Sequence, residues 1–265
     1  MAGVALVALV TGPAMAADLP VKAPRMVVEE SFSWSKCYLG AHVGYGWGRN
    51  RNAFGDAVAS GPTEGFEAFP AEFGPFNHNT GGGVFGGQIG CNYQFAPNWL
   101  VGVEGEVWWS GMKGGFTAPE DGADPGTFSR FESRNRWDAD VALRLGYTWN
   151  RHLLYAKAGV AFGSFSYTEW HDDFPSTHAC PNGGTCSVSF TKTLPGLLLG
   201  AGWEYALSNS WSVKAEYNYI TYARHDIPYP SAGAGLQNFG VHDTKQIVKI
   251  GVNYLFGDSV VRAAY

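Results

Sequence analysis

The chain has 265 residues, a length typical of one or two domains. Charged residues account for only 15% of it, against about 25% in a typical soluble domain, whereas aromatic residues also reach 15%. The formal net charge of −5 gives no indication of the strongly basic overall charge typical of proteins that bind nucleic acid, so we expect no nucleic-acid partner.

The first predicted element is a secretory signal peptide over residues 1–16. Residues 4–10 form a short apolar core, and Ala14-Met15-Ala16 supplies the small-x-small pattern of a cleavage site. This core is far shorter than a membrane helix, which argues against a membrane anchor. We therefore expect export, followed by a periplasmic lead-in over residues 17–34. The four cysteines, an even number, suit an oxidising compartment.

Eight segments follow in which apolar residues alternate with polar or small ones. Successive side chains of a β-strand point to opposite faces, so each segment is predicted to form a strand with one apolar face. In chain order these strands cover residues 36–48, 82–95, 99–111, 136–149, 153–167, 189–207, 211–224 and 243–256. After residue 16 no apolar run approaches the roughly 18 residues that a membrane helix needs, so any membrane span must consist of strands.

The fourth predicted strand shows this pattern most clearly. Its apolar face consists of Trp137, Ala139, Val141, Leu143, Leu145, Tyr147 and Trp149. Its opposite face carries Arg136, Asp138, Asp140 and Arg144. Such a ribbon is typical of a transmembrane barrel, whose outer face meets lipid and whose inner face does not. The alternative, the core of a soluble all-β protein, would also have to explain the charges on the opposite face.

The connections between the predicted strands alternate in length. Tight turns are predicted at Ala96-Pro97-Asn98, Asn150-Arg151 and Ser208-Asn209-Ser210, and long loops precede the second, fourth, sixth and eighth strands. Outer-membrane barrels combine short periplasmic turns with longer extracellular loops and an even number of strands. The sequence therefore predicts an all-β, eight-stranded, antiparallel up-and-down transmembrane β-barrel over residues 35–256, with four outer loops, three periplasmic turns and a periplasmic tail over residues 257–265.

Aromatic residues gather at both ends of the predicted strands. Those near the tight turns are Phe95, Trp99, Trp149, Trp211 and Phe256. Those near the long loops are Trp47, Trp109, Trp137 and Tyr219. Rings with an apolar body and a polar edge favour the boundary between lipid and water, so these two sets are predicted to form the two aromatic girdles of the barrel.

The charged residues on the inward faces nearly balance in sign. The predicted network in the lumen consists of Glu104, Glu106, Arg136, Asp138, Asp140, Arg144, Lys157, Glu204, Lys214, Glu216 and Lys249. An eight-stranded barrel is just wide enough for side chains to fill it, and a lone buried charge is costly. We therefore predict that paired side chains plug the lumen or leave a narrow water path. Paired carboxylates could instead indicate acid–base catalysis, but basic partners are available and no catalytic motif is present, so no enzyme is predicted.

The cysteines and histidines leave further alternatives. Cys180 and Cys186 bracket a short loop segment and are a candidate disulfide. Cys37 and Cys91 lie at the periplasmic ends of the first two strands and could form a second disulfide or stay reduced. The polar run with His171 and nearby carboxylates matches no standard ligand spacing, so neither a metal nor a cofactor is expected.

The last predicted strand carries a motif of its own. Lys249 is followed by Gly251 and then by the aromatic pair Tyr254 and Phe256. This spacing resembles the assembly signal of outer-membrane barrels. Together with the Ala-Asp-Leu-Pro segment from Ala17 and the Tyr38-Leu-Gly-Ala-His-Val-Gly-Tyr-Gly-Trp segment, it makes the chain resemble the small porin-family barrels of alpha-proteobacteria. These are also called outer-membrane immunogenic proteins and are similar in architecture to the OmpA transmembrane domain.

The resemblance implies a location in the outer membrane and recognition of the last strand by the barrel-assembly machinery. Residues 257–265 follow Phe256, whereas the signal typically ends on its last aromatic residue. The expected function is a structural barrel that displays its loops, with outer-membrane lipid as its surroundings and a monomeric state. Two alternatives stay open: a narrow porin for small solutes, or a surface protein that binds haem, a host ligand or an envelope partner through its long loops.

Overall fold

The computed structural model describes residues 32–54, 77–119, 128–171, 186–231 and 235–257. The predicted signal peptide, most of the predicted lead-in, Cys180 and the C-terminal tail lie outside these residues. The described strands are β1 Cys37–Phe54, β2 Asn77–Ala96, β3 Trp99–Ser110, β4 Lys113–Pro119, β5 Phe128–Trp149, β6 His152–His171, β7 Cys186–Ala206, β8 Trp211–Tyr222, β9 His225–Ser231 and β10 Gly235–Phe256. The described ranges contain no helix with the length and apolar character needed to cross a membrane.

Eight of the strands close into one antiparallel ring. Its order is β1, β2, β3, β5, β6, β7, β8 and β10, and β10 pairs back onto β1 from Phe256 at Cys37 to Phe239 at Phe54. Closure leaves no open sheet edge in the ring, which is the condition for a sheet to stand in lipid. The predicted eight-stranded up-and-down barrel is therefore confirmed.

The exposed faces of the strands are the apolar ones. Leu143, Leu197 and Ile250 are 70%, 64% and 62% exposed, whereas Glu104 and Lys249 are fully buried. A soluble protein would bury the first group and expose the second, because the hydrophobic effect and the cost of burying charge both act in that direction. The molecule is inside-out relative to a soluble protein, as the alternation predicts for a barrel in lipid.

The strands extend further on the loop side than the sequence predicts. β1 reaches Phe54, β5 starts at Phe128, and two short strands, β4 and β9, pair with β5 and β10 inside segments predicted as loops. Beyond the membrane the outer face meets water, so these ladders continue without the apolar alternation that identifies a strand from sequence. The turn-side ends were predicted within a few residues, and Asn150 forms its tight turn with a positive φ of 53°.

A bulge in β5 reverses one predicted orientation. The pairing of β5 with β6 shifts register between Asn135 and Trp137, so Arg136 has no partner in β6. The extra residue points outward together with Trp137, and the Arg136 side chain is exposed, while Asn135 remains buried. The prediction that Arg136 belongs to the lumen network is therefore wrong. Strict alternation from Asp138 places Arg136 on the inward face, but the residue inserted by the bulge turns its side chain outward.

Cys37 and Cys91 form a disulfide. They face each other in the ladder between β1 and β2, where Cys37 pairs with Cys91 directly. Of the two alternatives that the sequence leaves open, the bonded one is confirmed. The crosslink fixes the register of these two neighbouring strands at their turn-side ends.

Candidate functional site: the packed barrel interior

Six charged side chains meet at the middle of the lumen and are called the central cluster below. They are Glu104 and Glu106 from β3, Lys157 from β6, Lys214 and Glu216 from β8, and Lys249 from β10. All six belong to the network predicted from the sequence, and strict alternation along each strand turns them inward. Three carboxylates face three ammonium groups, so their formal charges cancel.

The ammonium groups of the central cluster bridge the carboxylates. The Lys157 nitrogen lies 3.1, 2.9 and 2.8 Å from oxygens of Glu104, Glu106 and Glu216. The Lys214 nitrogen lies 3.1, 3.0 and 3.4 Å from the same three carboxylates. Lys249 contacts Glu106 at 2.5 Å and Glu216 at 3.0 Å. Every one of these side chains is 0% exposed, so each charge is neutralised by protein groups.

The central cluster spans the full width of the barrel. β3 and β8 are four strands apart in either direction around the ring, so they stand on opposite sides of it. Nevertheless the Lys214 ammonium from β8 donates to Glu104 from β3 at 3.1 Å and to Glu106 at 3.0 Å. Direct hydrogen bonds between opposite walls occupy the axis of the lumen at this level.

A second ionic group lies next to the central cluster. Arg144 from β5 places one guanidinium nitrogen 3.0 Å from Glu204 of β7, and a second donates to the hydroxyl of Tyr38. Its guanidinium plane stacks 3.7 Å from the ring centre of Tyr155, a favourable cation–π geometry. The hydroxyls of Tyr38 and Tyr155 in turn donate to Glu104 and Glu216 of the central cluster, both at 2.7 Å.

Apolar layers close the interior above and below the charges. At the turn-side end Trp34, from the segment before β1, packs with Phe32, Leu100, Leu153 and Ala206, and Trp34 is 2% exposed. Toward the loop side a larger buried layer includes Trp108, Phe165, Leu198, Ile220, Tyr222 and Ile247. The charged layer is therefore enclosed between two apolar layers.

The loop-side mouth, beyond the outer aromatic girdle and outside the membrane, holds two titratable groups. Burial lowers the pKa of His78 to about 4, so its ring is neutral at physiological pH, and it hydrogen-bonds Ser133 at 2.6 Å. Burial raises the pKa of Asp243 to about 6, against hydrogen bonds from Tyr167 and Asn50 that lower it. A cavity of about 10 Å³ beside Ser133 and Asp243 has room for about one water molecule.

The carboxylates of the central cluster do not fit a metal site. Oxygens of Glu104, Glu106 and Glu216 lie within 4.8 Å of one another, close enough to surround a cation. Three ammonium groups already occupy the space between them, and a metal ion would have to displace these charges or be repelled by them. The same contacts leave no carboxylate of the cluster free to act as a general base, which argues against acid–base catalysis.

Comparison with known proteins agrees with this architecture. The model of the outer membrane protein beta-barrel domain family matches residues 2–256. The chain belongs to this family. The 31 kDa outer-membrane immunogenic protein of Brucella melitensis biotype 1 is 29% identical over 256 residues, covering 95% of this chain and 97% of that protein. The 22 kDa outer membrane protein of Rhizobium leguminosarum bv. viciae is 27% identical over 186 residues, covering 70% and 71%.

Similar solved structures include outer-membrane proteins of other bacteria. OprG from Pseudomonas aeruginosa has 13% identity and a TM-score of 0.41, covering 86% of this chain and 99% of its own. The outer membrane protease OmpT from Escherichia coli has 12% identity and a TM-score of 0.41, covering 85% and 98%. Family membership and the named relatives confirm both the predicted resemblance and the location of this barrel protein in the outer membrane.

Several interior residues were not singled out from the sequence. Tyr38, Tyr155 and Tyr222 carry hydroxyls that donate to buried carboxylates, and Lys245 pairs with Asp138 at 2.6 Å. The alternation of side chains does predict that they point inward, because each lies an even number of residues from an inward charge on its own strand or from the ladder partner of such a charge. The alternation alone does not distinguish these tyrosines, because aromatic residues on the lumen side have the composition of ordinary strand formers.

The residues of the predicted assembly motif divide between the two faces. Lys249 is fully buried in the central cluster, whereas Tyr254 and Phe256 are 47% and 42% exposed on the outer face. Gly251 lies between Lys249 and Tyr254 in the chain and faces His42 across the ladder to β1. In the closed barrel only the two aromatic side chains are accessible from outside, and recognition by the barrel-assembly machinery stays a prediction.

Asp138 and Asp140 are two buried carboxylates on the same strand with opposite surroundings. One oxygen of Asp138 accepts hydrogen bonds from Lys245 at 2.6 Å and Tyr222 at 2.5 Å. Neither oxygen of Asp140 has a hydrogen-bond partner among the described residues, although the residue is only 3% exposed. A buried carboxylate without partners opposes folding, whereas a bonded one contributes to stability.

This contrast gives a matched pair of variants. Asp138→Asn is expected to lower the free energy of unfolding by about 1.5–3 kcal/mol, since it removes a charge-assisted hydrogen bond and leaves Lys245 without its salt-bridge partner. Asp140→Asn, the same chemical change two residues away, is expected to leave it unchanged or to raise it. Urea titration of both folded barrels measures the difference, and a larger loss for Asp140→Asn would contradict this account of the lumen.

Proposed function

We propose that this outer-membrane protein is a structural barrel with a closed lumen that presents its loop-side rim at the cell surface. The observation that carries the proposal is the contact of opposite walls, in which Lys214 of β8 donates to Glu104 and Glu106 of β3. A conducting pore needs a continuous hydrated path, and here the central charges are bonded to protein instead of water. No catalytic role is proposed, because the cluster carboxylates are all held by ammonium groups.

The enclosing apolar layers give this proposal further support. A solute that passed the charged layer would also have to displace Trp34 and its neighbours at one end and the aromatic layer around Trp108 at the other. Closely packed layers resist such movement, because each displaced side chain loses its buried contacts. The eight strands of the ring have no open edge for pairing with a second copy, and the short β9, which pairs only with β10, lies outside the ring, so we expect a monomer.

Conductance in planar bilayers tests the closed lumen. The mature chain is expected to give no steady conductance above the lipid baseline, and liposomes that contain it are expected not to swell in small sugars or amino acids. A large-pore porin inserted in the same lipid provides the positive control. Heat-modifiable migration on gels of the same liposomes shows that the barrel is inserted and folded.

A narrow porin is the competing outcome of this experiment. It would give steady conductance that increases with the amount of folded protein and a swelling rate that falls with solute size. That result would overturn the closed-lumen proposal and leave the barrel and its location in the outer membrane intact.

A further inference from the structure

A group of cations stands on the outer face of the barrel, just beyond the outer aromatic girdle. The group consists of Lys113 from β4 and Arg130, Arg134 and Arg136 from β5, and is called the basic patch below. All four side chains are exposed, and Lys113 faces Arg134 directly across the ladder. Arg136 is the residue that the bulge in β5 turns outward.

The basic patch continues directly from the lipid-facing surface. Trp109 and Trp137 face each other across the ladder between β3 and β5, and Phe85 stacks on Trp109 with ring centres 5.7 Å apart. Arg136 immediately precedes Trp137 in the chain. Aromatic girdles mark the level at which hydrocarbon meets the lipid headgroups, so the patch begins at the level of the headgroups.

The charges of the basic patch are only partly compensated by the protein. Among the described residues Glu132 is the one outward carboxylate within it, and it contacts Arg134 and, at 3.7 Å, Arg130. Neither Lys113 nor Arg136 has a salt bridge to any described residue. Arg130 and Arg134 keep 64% and 62% of their side chains exposed.

The cations of the lumen show a different arrangement. Lys157, Lys214 and Lys249 each contact at least two carboxylates and are fully buried. The same end of the barrel also carries the exposed cations Arg49 and Arg224, but Arg49 stands singly between the neutral residues Asn79 and Thr244 of the neighbouring strands. The largest group of exposed cations among the described residues therefore lies on the β4–β5 side, where Glu132 compensates only part of its charge.

We propose that the basic patch binds the phosphate groups of an outer-leaflet lipid headgroup. Guanidinium groups bind phosphate oxygens in a bidentate manner, and three arginines within seven residues of one strand offer several such forks. The acyl chains of the same lipid would lie along the apolar band below Trp109 and Trp137. This continuity favours a lipid over a soluble anion or an acidic protein, neither of which would use the band. The inference is independent of whether the lumen conducts.

Binding of diphosphorylated lipid A to the detergent-folded full chain tests the patch. The double variant Arg134→Gln with Arg136→Gln is expected to bind this lipid at least ten-fold more weakly than the wild type. The control is Arg49→Gln with Arg224→Gln, which removes two exposed charges from the same end of the barrel away from the patch and is expected to bind as the wild type does. Heat-modifiable migration confirms that both variants are folded.

Four further results would overturn the proposal. Equal losses in the two double variants would indicate general attraction to the outer end instead of a site. Equal binding of lipid A without its phosphates, or displacement by millimolar inorganic phosphate alone, would show that no phosphorylated lipid is selected. Tight binding of an acidic peptide that depends on the same two arginines would identify a protein partner instead.

Discussion

Replacing Glu106 by glutamine is expected to lower the free energy of unfolding by about 3–5 kcal/mol. This is the typical cost of removing one partner of a buried ion pair, because the other charge stays buried without compensation. Glu106 accepts from all three lysines of the central cluster, Lys157, Lys214 and Lys249. Glutamine preserves the size of the side chain but removes the charge. Three ammonium groups would then face two carboxylates in a fully buried site, and the neighbouring carboxylate of Asp140, which faces Glu106 in the ladder, makes no hydrogen bond to any of them.

Urea titration of the barrel folded in detergent or vesicles measures this loss. Glu132→Gln provides the matched control, since it makes the same chemical change at an ion pair outside the membrane and beside exposed arginines. Surface ion pairs contribute about 0–1 kcal/mol, so the control is expected to stay within that range. Equal stability of Glu106→Gln and the wild type would mean that water or counterions reach the cluster.

Restoring the charge balance distinguishes electrostatics from packing. Adding Lys214→Met to Glu106→Gln leaves Glu104 and Glu216 facing Lys157 and Lys249, so the formal charges cancel again. The double variant is therefore expected to be more stable than Glu106→Gln alone, although it has also lost the contacts of Lys214 with Glu104 and Glu216. If the two losses simply added, packing defects instead of uncompensated charge would explain the first variant.

The alternation of side chains made most of the barrel predictable from the sequence. In the bilayer the two faces of a strand meet opposite environments, so lipid requires apolar residues at every second position and the lumen permits charge at the others. This requirement holds from one girdle to the other, and there the predicted orientations agree with the structure, as for Val141 and Arg144. Outside the girdles both faces meet water, the constraint vanishes, and the strand extensions with β4 and β9 could not be read from the pattern.

The wrong orientation of Arg136 has a different cause. A bulge adds one residue to one strand, and its position depends on how β5 packs against both β4 and β6, where the Asn135 backbone donates to Met112. Such a contact between distant segments leaves no periodic signal. The apolar layers of the lumen were missed for a related reason, because Trp108 and Leu198 on an inward face do not differ in composition from residues that face lipid.

The depth of Leu143 in the membrane gives the second large effect. Leu143 is 70% exposed and lies midway along β5 between Trp137 and Trp149, one from each aromatic girdle. Leu143→Arg is expected to lower the free energy of unfolding by about 2–4 kcal/mol, because the cation would stand at the centre of the hydrocarbon. Urea titration of the barrel folded in vesicles measures this loss. On a water-exposed surface the same change would be almost neutral, since exposed substitutions usually stay within about 0.5 kcal/mol.

The dependence of the arginine penalty on depth along β5 distinguishes lipid from any other apolar environment. Ala139→Arg places the same side chain on the same face of β5 but only two residues from Trp137, where the cation can reach the headgroups. Its cost is expected to be clearly smaller, because the penalty for arginine falls to about 0–1 kcal/mol near the interface. Leu143→Ala controls for the loss of the leucine itself. If both arginine variants lost the same stability, the outer face would be covered by protein instead of a bilayer, since only a bilayer has a midplane at which the penalty is greatest.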